Sequence, residues 1–205
     1  MRLLPAILAM AAIVVASNIL VQFLAGPWLT WGAFTYPFAF LVTDLTNRFH
    51  GAAAARRVVL AGFAAGLLCS AVGTQIEGEF GPLVTRRVAL GSALAFLVAQ
   101  LLDVTVFDWF RRARWWHAPL VSTLAGSTLD TLIFFSVAFA AAFAGLEPGN
   151  DVAWANTLVP VLGFGHPAPL WVSLAIADWG VKIALALVAL LPFRWVIARR
   201  AAKVA

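Results

Sequence analysis

The chain alternates long apolar runs with short polar links, and the runs have the length of a bilayer crossing. At about 20 residues per crossing, apolar blocks fall at residues 3–25, 31–47, 58–75, 88–110, 119–143 and 168–192. This pattern predicts an all-α polytopic membrane protein with six transmembrane helices. Too little chain remains between the blocks for a soluble domain, so residues 1–205 read as a single transmembrane domain. Two neighbouring blocks break their apolar pattern in the same way. Gln100, Asp103 and Phe107 in one, and Ser127, Asp130 and Phe134 in the next, repeat polar, two residues, Asp, three residues, Phe. On a helix each triplet shares one face. A carboxylate at the bilayer centre costs about 2.5 to 3.5 kcal/mol on insertion scales, so the two triplets predict a polar lining between helices.

Composition agrees with the pattern. The chain is 63% hydrophobic and 11% charged, with a mean hydropathy of +0.94, against about 25% charged residues in a soluble domain. The net charge of +5 would suit a nucleic-acid ligand in a soluble protein, but its placement speaks for topology instead. Arg2, Arg48, Arg56, Arg57, Arg111, Arg112, Arg114, Arg194, Arg199, Arg200 and Lys203 all fall on one side of the six-helix arrangement; Arg86 and Arg87 fall on the other, and Lys182 lies inside a block. The positive-inside rule then makes both termini cytoplasmic and leaves no nucleic-acid partner. Trp109, Trp115 and Trp116 beside the arginines after residue 110 suit an anchor to anionic membrane lipid.

Arg2 followed by LLPAILAMAAIVVAS has the outline of a secretory signal, yet the apolar run continues to Ala25, and it is read as the first helix. Cys69 is the sole cysteine, so no internal disulfide forms, and His50, His117 and His166 lack metal-ligand spacing. No GxxxxGK[ST], HExxH or GxSxG element occurs, nor the GxGD expected of an intramembrane aspartyl protease. The expectation is therefore neither an enzyme nor a cofactor protein.

The remaining polar groups inside the blocks are few. Asn18 and Gln22 stand four apart in the outer half of the first helix, while Asp44 with Arg48 and Asp178 with Lys182 have i,i+4 spacing. Each charged pair reads either as a private ion pair or as part of a shared site. Counting at 1.5 Å per residue places Asp130 and Asp178 near the midplane, and Asp44 and Asp103 in the inner half. Ala12 with Ala16, and Gly62 with Gly66, have small-xxx-small spacing that permits close helix approach, the latter with a possible homodimer contact. Trp28, Trp31 and Tyr36 suit an outer interface, and Pro37 suits local unwinding. The link over residues 145–167 is expected to form a short interfacial helix over the outer mouth. Together the aspartates and amides would make a chamber for a flat polar heterocycle or a cation. Carboxylates accept a guanidine-like N–H edge, amides bind carbonyls, and aromatic faces sandwich a ring. Buried aspartates also suit proton carriage.

Several strings carry a specific resemblance: SNILVQ from Ser17, TWGAF from Thr30, PFAFLVTDLTNR from Pro37, AARR from Ala54, AQLLDVTVF from Ala99, RWWHAPLVSTLAG from Arg114 and DTLIFF from Asp130, with the Asp178 to Lys182 spacing. Over nearly all of its apolar part the chain resembles the YhhQ-type queuosine precursor transporters, a vitamin uptake transporter-like family. The likeness weakens over residues 77–85 and 145–167. It implies a bacterial inner-membrane importer of 7-cyano-7-deazaguanine and 7-aminomethyl-7-deazaguanine, salvaged for tRNA modification. The small-molecule 7-deazaguanine would meet Asp130 and Asp178, with Asp103 and Asp44 below them. Asn18, Gln22, Gln100 and Lys182 would orient the base, and Trp31, Phe38, Phe107 and Phe134 would stack on it. Two other readings stand beside this one. The first is the substrate-binding component of an energy-coupling importer, which also has a small-residue face on its first helix. The second is a non-transporting interaction protein whose aspartates only hold helices together.

Overall fold

The computed structural model describes residues 3–78 and 81–202, so Arg2 and Lys203 lie outside it. It is an all-helical bundle of α1 (Leu4–Leu20), α2 (Gly32–Thr35), α3 (Phe38–His50), α4 (Ala52–Gly73), α5 (Arg86–Phe110), α6 (His117–Phe139) and α7 (Leu170–Ala202). Four of these, α4 to α7, are long and apolar enough to cross a membrane, and α1 is a shorter apolar helix. Large apolar side chains such as Leu8, Leu68, Leu132 and Leu191 point outward, uncovered by protein.

The block at 31–47 is not one regular helix. Pro37 has no N–H to give the carbonyl four residues back, so the backbone changes to tighter bonds there, Ala39 N–H to Tyr36 and Phe40 N–H to Pro37. The local unwinding expected of Pro37 is thus present, as a step between α2 and α3. By contrast α1 stops at Leu20, leaving Gln22 in a turn, and α7 runs on through Pro192 to Ala202. The added turns carry Arg194, Arg199 and Arg200, whose guanidinium groups stack on Trp115 at 5.2 Å, Trp195 at 3.8 Å and Phe49 at 4.2 Å. Stacking on these faces holds the cations.

Helices α5 and α6 form the most extensive pair. Thr85 caps α5 through its side chain. The carboxylate of Glu147 accepts from the backbone of Arg86 and Arg87 at 3.2 and 3.0 Å, a negative charge at the positive end of the helix dipole. Arg87 completes the exchange. Fully buried, it donates to the last carbonyls of α6, those of Val137 at 3.1 Å and Ala140 at 2.8 Å. The sequence marks Arg87 only as an outer-side charge. Here it closes a helix end.

A core of Met10, Val14, Ala39, Val58, Val59, Phe96 and Val104 joins α1, α3, α4 and α5. Gly62 makes room for it: a Cβ there would stand 2.5 Å from Met10 Cγ and 3.0 Å from Phe96. The GxxxG face of α4 is therefore filled within the chain rather than free for a second copy. Ala12, in contrast, is exposed, so the Ala12 and Ala16 face of α1 is not the one that packs in the bundle.

Among the described residues the two long outer links hold no α-helix. β1 (Glu77–Gly78) pairs with β2 (Gly81–Pro82), and residues 141–169 form three 3₁₀ turns and the pair β3 (Leu158–Pro160) with β4 (Pro167–Pro169). The expected interfacial helix is thus replaced by tight turns. Asn156 binds them down: its amide donates to Phe139 at 2.9 Å and Val152 at 2.8 Å and accepts from Ala141 at 3.1 Å.

Candidate functional site

A cavity of about 510 Å³ lies among α1, α4, α5, α6 and α7, at the end of the bundle away from the arginine-rich links. Its volume falls within the roughly 300 to 1,000 Å³ of small-molecule sites. The walls carry Phe63, Phe96, Phe134, Phe135 and Phe139, and Trp28 and Trp154 reach in from the links. The aromatic rings of the α6 wall meet edge to face, Phe134 on Phe139 at 5.9 Å and Phe139 on Trp154 at 5.7 Å.

The polar floor is one connected network. Lys182 on α7 donates to Asp130 Oδ2 at 2.6 Å and to the Thr131 hydroxyl at 3.0 Å, and it forms an ion pair with Asp178 Oδ2 at 2.5 Å. Tyr36 donates its hydroxyl to Asp130 Oδ1 at 3.0 Å, and its ring lies 5.5 Å beneath the ammonium. Thr131 donates to Asp178 Oδ2 at 3.0 Å. Asp130 and Lys182 are buried, while the Asp178 side chain stays 15% exposed. No donor among the described residues reaches Asp178 Oδ1, and Asp178 lines the cavity. The network joins α2–α3, α6 and α7, and it holds two carboxylates against a single cation.

Six of the residues singled out from the sequence line this cavity: Asn18, Gln22, Asp130, Phe134, Asp178 and Lys182. Asn18 turns its amide nitrogen to its own helix, donating to Val14 at 2.9 Å. Lys182 is turned to the two carboxylates and Thr131. Asp178 and Lys182 do pair, and Asp130 makes the pair a shared site.

The other six are elsewhere. The two Asp triplets share a helix pair but not a depth, because α5 and α6 run antiparallel. Gly91 packs on Phe134 and Ala99 on Gly126, so Asp130 lies opposite the region of Ala95, about 12 Å of helix rise from Asp103. Asp103 is instead buried beside Asp44, which accepts from Ser122 at 3.2 Å and Thr123 at 3.4 Å. Arg48 does not pair with Asp44; it donates to the carbonyl of Arg111 at 2.9 Å. Gln100 accepts from Thr43 at 2.7 Å and has no cavity face. Phe107 packs on Phe193 at 6.2 Å in a separate apolar cluster with Ala118. Phe38 is 43% exposed and Trp31 54% exposed, outside the cavity wall, with Trp31 stacked on Phe34.

Tyr36 and Thr131 are the network members that sequence reasoning missed. Tyr36 is the only tyrosine in the chain, and its place beside the helix-breaking Pro37 was the available signal. Thr131 sits directly after Asp130.

These features define a polytopic helical membrane protein with an aromatic-walled, charge-floored cavity of small-molecule size. The family described as "Putative vitamin uptake transporter" matches residues 30–197, and the chain belongs to that family. It is 36% identical to the "Queuosine precursor transporter" of Escherichia coli (strain K12) over 200 residues, covering 90% of this chain and 81% of the relative. Two relatives named "Probable queuosine precursor transporter" are also similar. That of Haemophilus influenzae is 38% identical over 62% of this chain and 57% of its own length. That of Bacillus subtilis is 32% identical over 82% and 71%. No solved structure matches the chain.

Proposed function

We propose that this protein imports the queuosine precursors 7-cyano-7-deazaguanine and 7-aminomethyl-7-deazaguanine across a bacterial inner membrane. In this reading α1, the α2–α3 segment and α4 to α7 make six crossings of a single transmembrane domain, both termini are cytoplasmic, and the cavity faces outward. The observation that carries it is the free Asp178 oxygen on a fixed charged floor beneath aromatic walls.

A deazaguanine presents two adjacent N–H groups on its pyrimidine edge. The open side of Asp178 accepts them, since a carboxylate has about four lone-pair sites and Lys182 with Thr131 take only part of them. The Gln22 amide donates to the exocyclic carbonyl, and Phe134 with its neighbours stacks on the ring. Lys182 and Tyr36 keep both carboxylates oriented before the ligand arrives, which lowers the cost of ordering the site on binding. Names of relatives at 32% to 38% identity support the substrate class.

The exposed Ala12 on α1 favours a second reading, in which this chain is the substrate-binding part of an energy-coupling importer and that face meets a partner. One experiment separates the two. The purified chain, alone in liposomes, is expected to take up 7-cyano-7-deazaguanine, and Asp178→Asn is expected to fold and lose uptake. Binding without uptake by the chain alone would favour the coupled importer. Normal uptake by Asp178→Asn would refute the site.

A further inference from the structure

The bundle buries a second pair of carboxylates that the cavity does not reach. Asp44 on α3 and Asp103 on α5 are 3% and 0% exposed, and both pack on the same turn of α6, Asp44 against Ser122 and Thr123 and Asp103 against Gly126. Asp44 receives the Ser122 and Thr123 hydroxyls of α6. Neither oxygen of Asp103 has a hydrogen-bond partner among the described residues, and neither has the amide nitrogen of Gln100, one turn before it and fully buried.

No countercharge among the described residues serves this pair. Among the described residues the ion pairs are those of Lys182 with Asp130 and Asp178 and of Arg111 with Asp108. Of the charged groups on the packed elements, Arg48 is turned to the Arg111 carbonyl, Arg111 also donates to the Asn47 carbonyl at 2.8 Å, and Arg56 and Arg57 of α4 are exposed. α6 faces the pair with hydroxyls, and α7 closes the neighbourhood with Ala186, Leu190 and Phe193. The void beside Asp44 is about 10 Å³, the space of a single water at most. Two ionised carboxylates side by side in an apolar interior, with bare acceptors on one, pay both repulsion and desolvation. One proton between them removes the repulsion and leaves a single buried charge: the O–H of one carboxyl donates to the oxygen of the other. A hydrated metal cation does not fit the space.

We propose that Asp44 and Asp103 form a proton-binding site distinct from the substrate cavity, and that the proton bound there drives uptake. The second half rests on the transport reading above. Helix α6 connects the two places, for Thr123, Ser127 and Asp130 lie along one of its faces. Between them Gly126 allows close contact, since a Cβ there would stand 2.8 Å from Phe40, 3.1 Å from the Ala99 carbonyl and 3.3 Å from Asp103 Cβ. A shift of α6 that frees Asp44 from Ser122 and Thr123 therefore also moves Asp130.

Infrared spectroscopy of the purified protein at neutral pH tests the site without transport. The C=O stretch of a protonated carboxyl is expected in the wild type and lost in Asp103→Asn, whose amide N–H replaces the shared proton. Absence of that band in the wild type overturns the site, and this reading needs no variant to fold. Proteoliposomes test the coupling. One pH unit of gradient, acid outside, is worth about 1.4 kcal/mol per proton and supports roughly tenfold accumulation. The wild type should accumulate 7-cyano-7-deazaguanine accordingly, while Asp103→Asn and Asp44→Asn should bind it and fail to concentrate it. Gradient-driven accumulation that survives both substitutions, or that follows sodium instead of pH, overturns the coupling. If no form binds or moves the compound, the transport reading fails while the infrared result still decides the proton site.

Discussion

Replacing Lys182 by Met tests whether the cavity floor is an ionic network. The side chains are similar in length, so the change removes charge more than volume. Wild type holds Asp130 and Asp178 against one ammonium at 2.6 and 2.5 Å. Lys182→Met leaves two carboxylates at the floor with no cation. Breaking a buried pair by removing one partner costs about 3 to 5 kcal/mol, and the lower end applies because Asp178 is 15% exposed and can gather water. At roughly 2 to 4 °C per kcal/mol for a chain of this size, the midpoint of thermal unfolding in detergent should fall by about 6 to 12 °C. The double variant Asp130→Asn with Lys182→Met restores the wild-type charge at the floor. It should therefore recover much of that loss while failing to take up substrate. The midpoint of both proteins can be read by intrinsic tryptophan fluorescence. A Lys182→Met protein that unfolds within a degree of wild type, or a double variant less stable than the single one, would refute the network as drawn.

Tyr36→Phe removes the only hydrogen bond to Asp130 Oδ1 among the described residues and keeps the ring beneath Lys182; an unsatisfied buried acceptor costs about 1 to 3 kcal/mol, to be seen as a lowered unfolding midpoint together with weaker substrate binding. Gly126→Val places a branched side chain against Phe40 and the Ala99 carbonyl, so the α5–α6 pair should lose about 1 to 3 kcal/mol, measured in the same melt, with a smaller loss for Gly126→Ala. Phe38→Ala and Trp31→Ala, both outside the cavity wall, should leave the substrate dissociation constant unchanged by calorimetry.

The apolar pattern made α4 to α7 legible, because a helix in lipid satisfies its own backbone and is written as a long apolar run. Helix ends were less so. Pro192 looks like a terminator, yet α7 passes through it, since a proline costs only local bonds that neighbours and water can absorb. At the site, Asp178 and Lys182 were legible from i,i+4 spacing on one helix. The partnership of Asp130 with them was foreseen only as convergence, and its exclusion of Asp103 was not foreseen. That difference is one of register: a repeated motif says which face a residue occupies, but the antiparallel hairpin decides its depth. Phe107 and Gln100 went astray for the same reason. Tyr36 was read from residue type as an interface ring, whereas its hydroxyl has a buried partner that only tertiary structure supplies.

The most direct measurement is the affinity of purified protein for 7-cyano-7-deazaguanine, wild type against Asp178→Asn, by calorimetry in detergent. Hydrogen bonds to a charged group are worth about 1.5 to 3 kcal/mol, so the variant should bind roughly 10 to 150 times more weakly with its fold intact. Equal affinity in the two proteins would contradict the assignment of the Asp178 oxygen as the group that recognises the substrate.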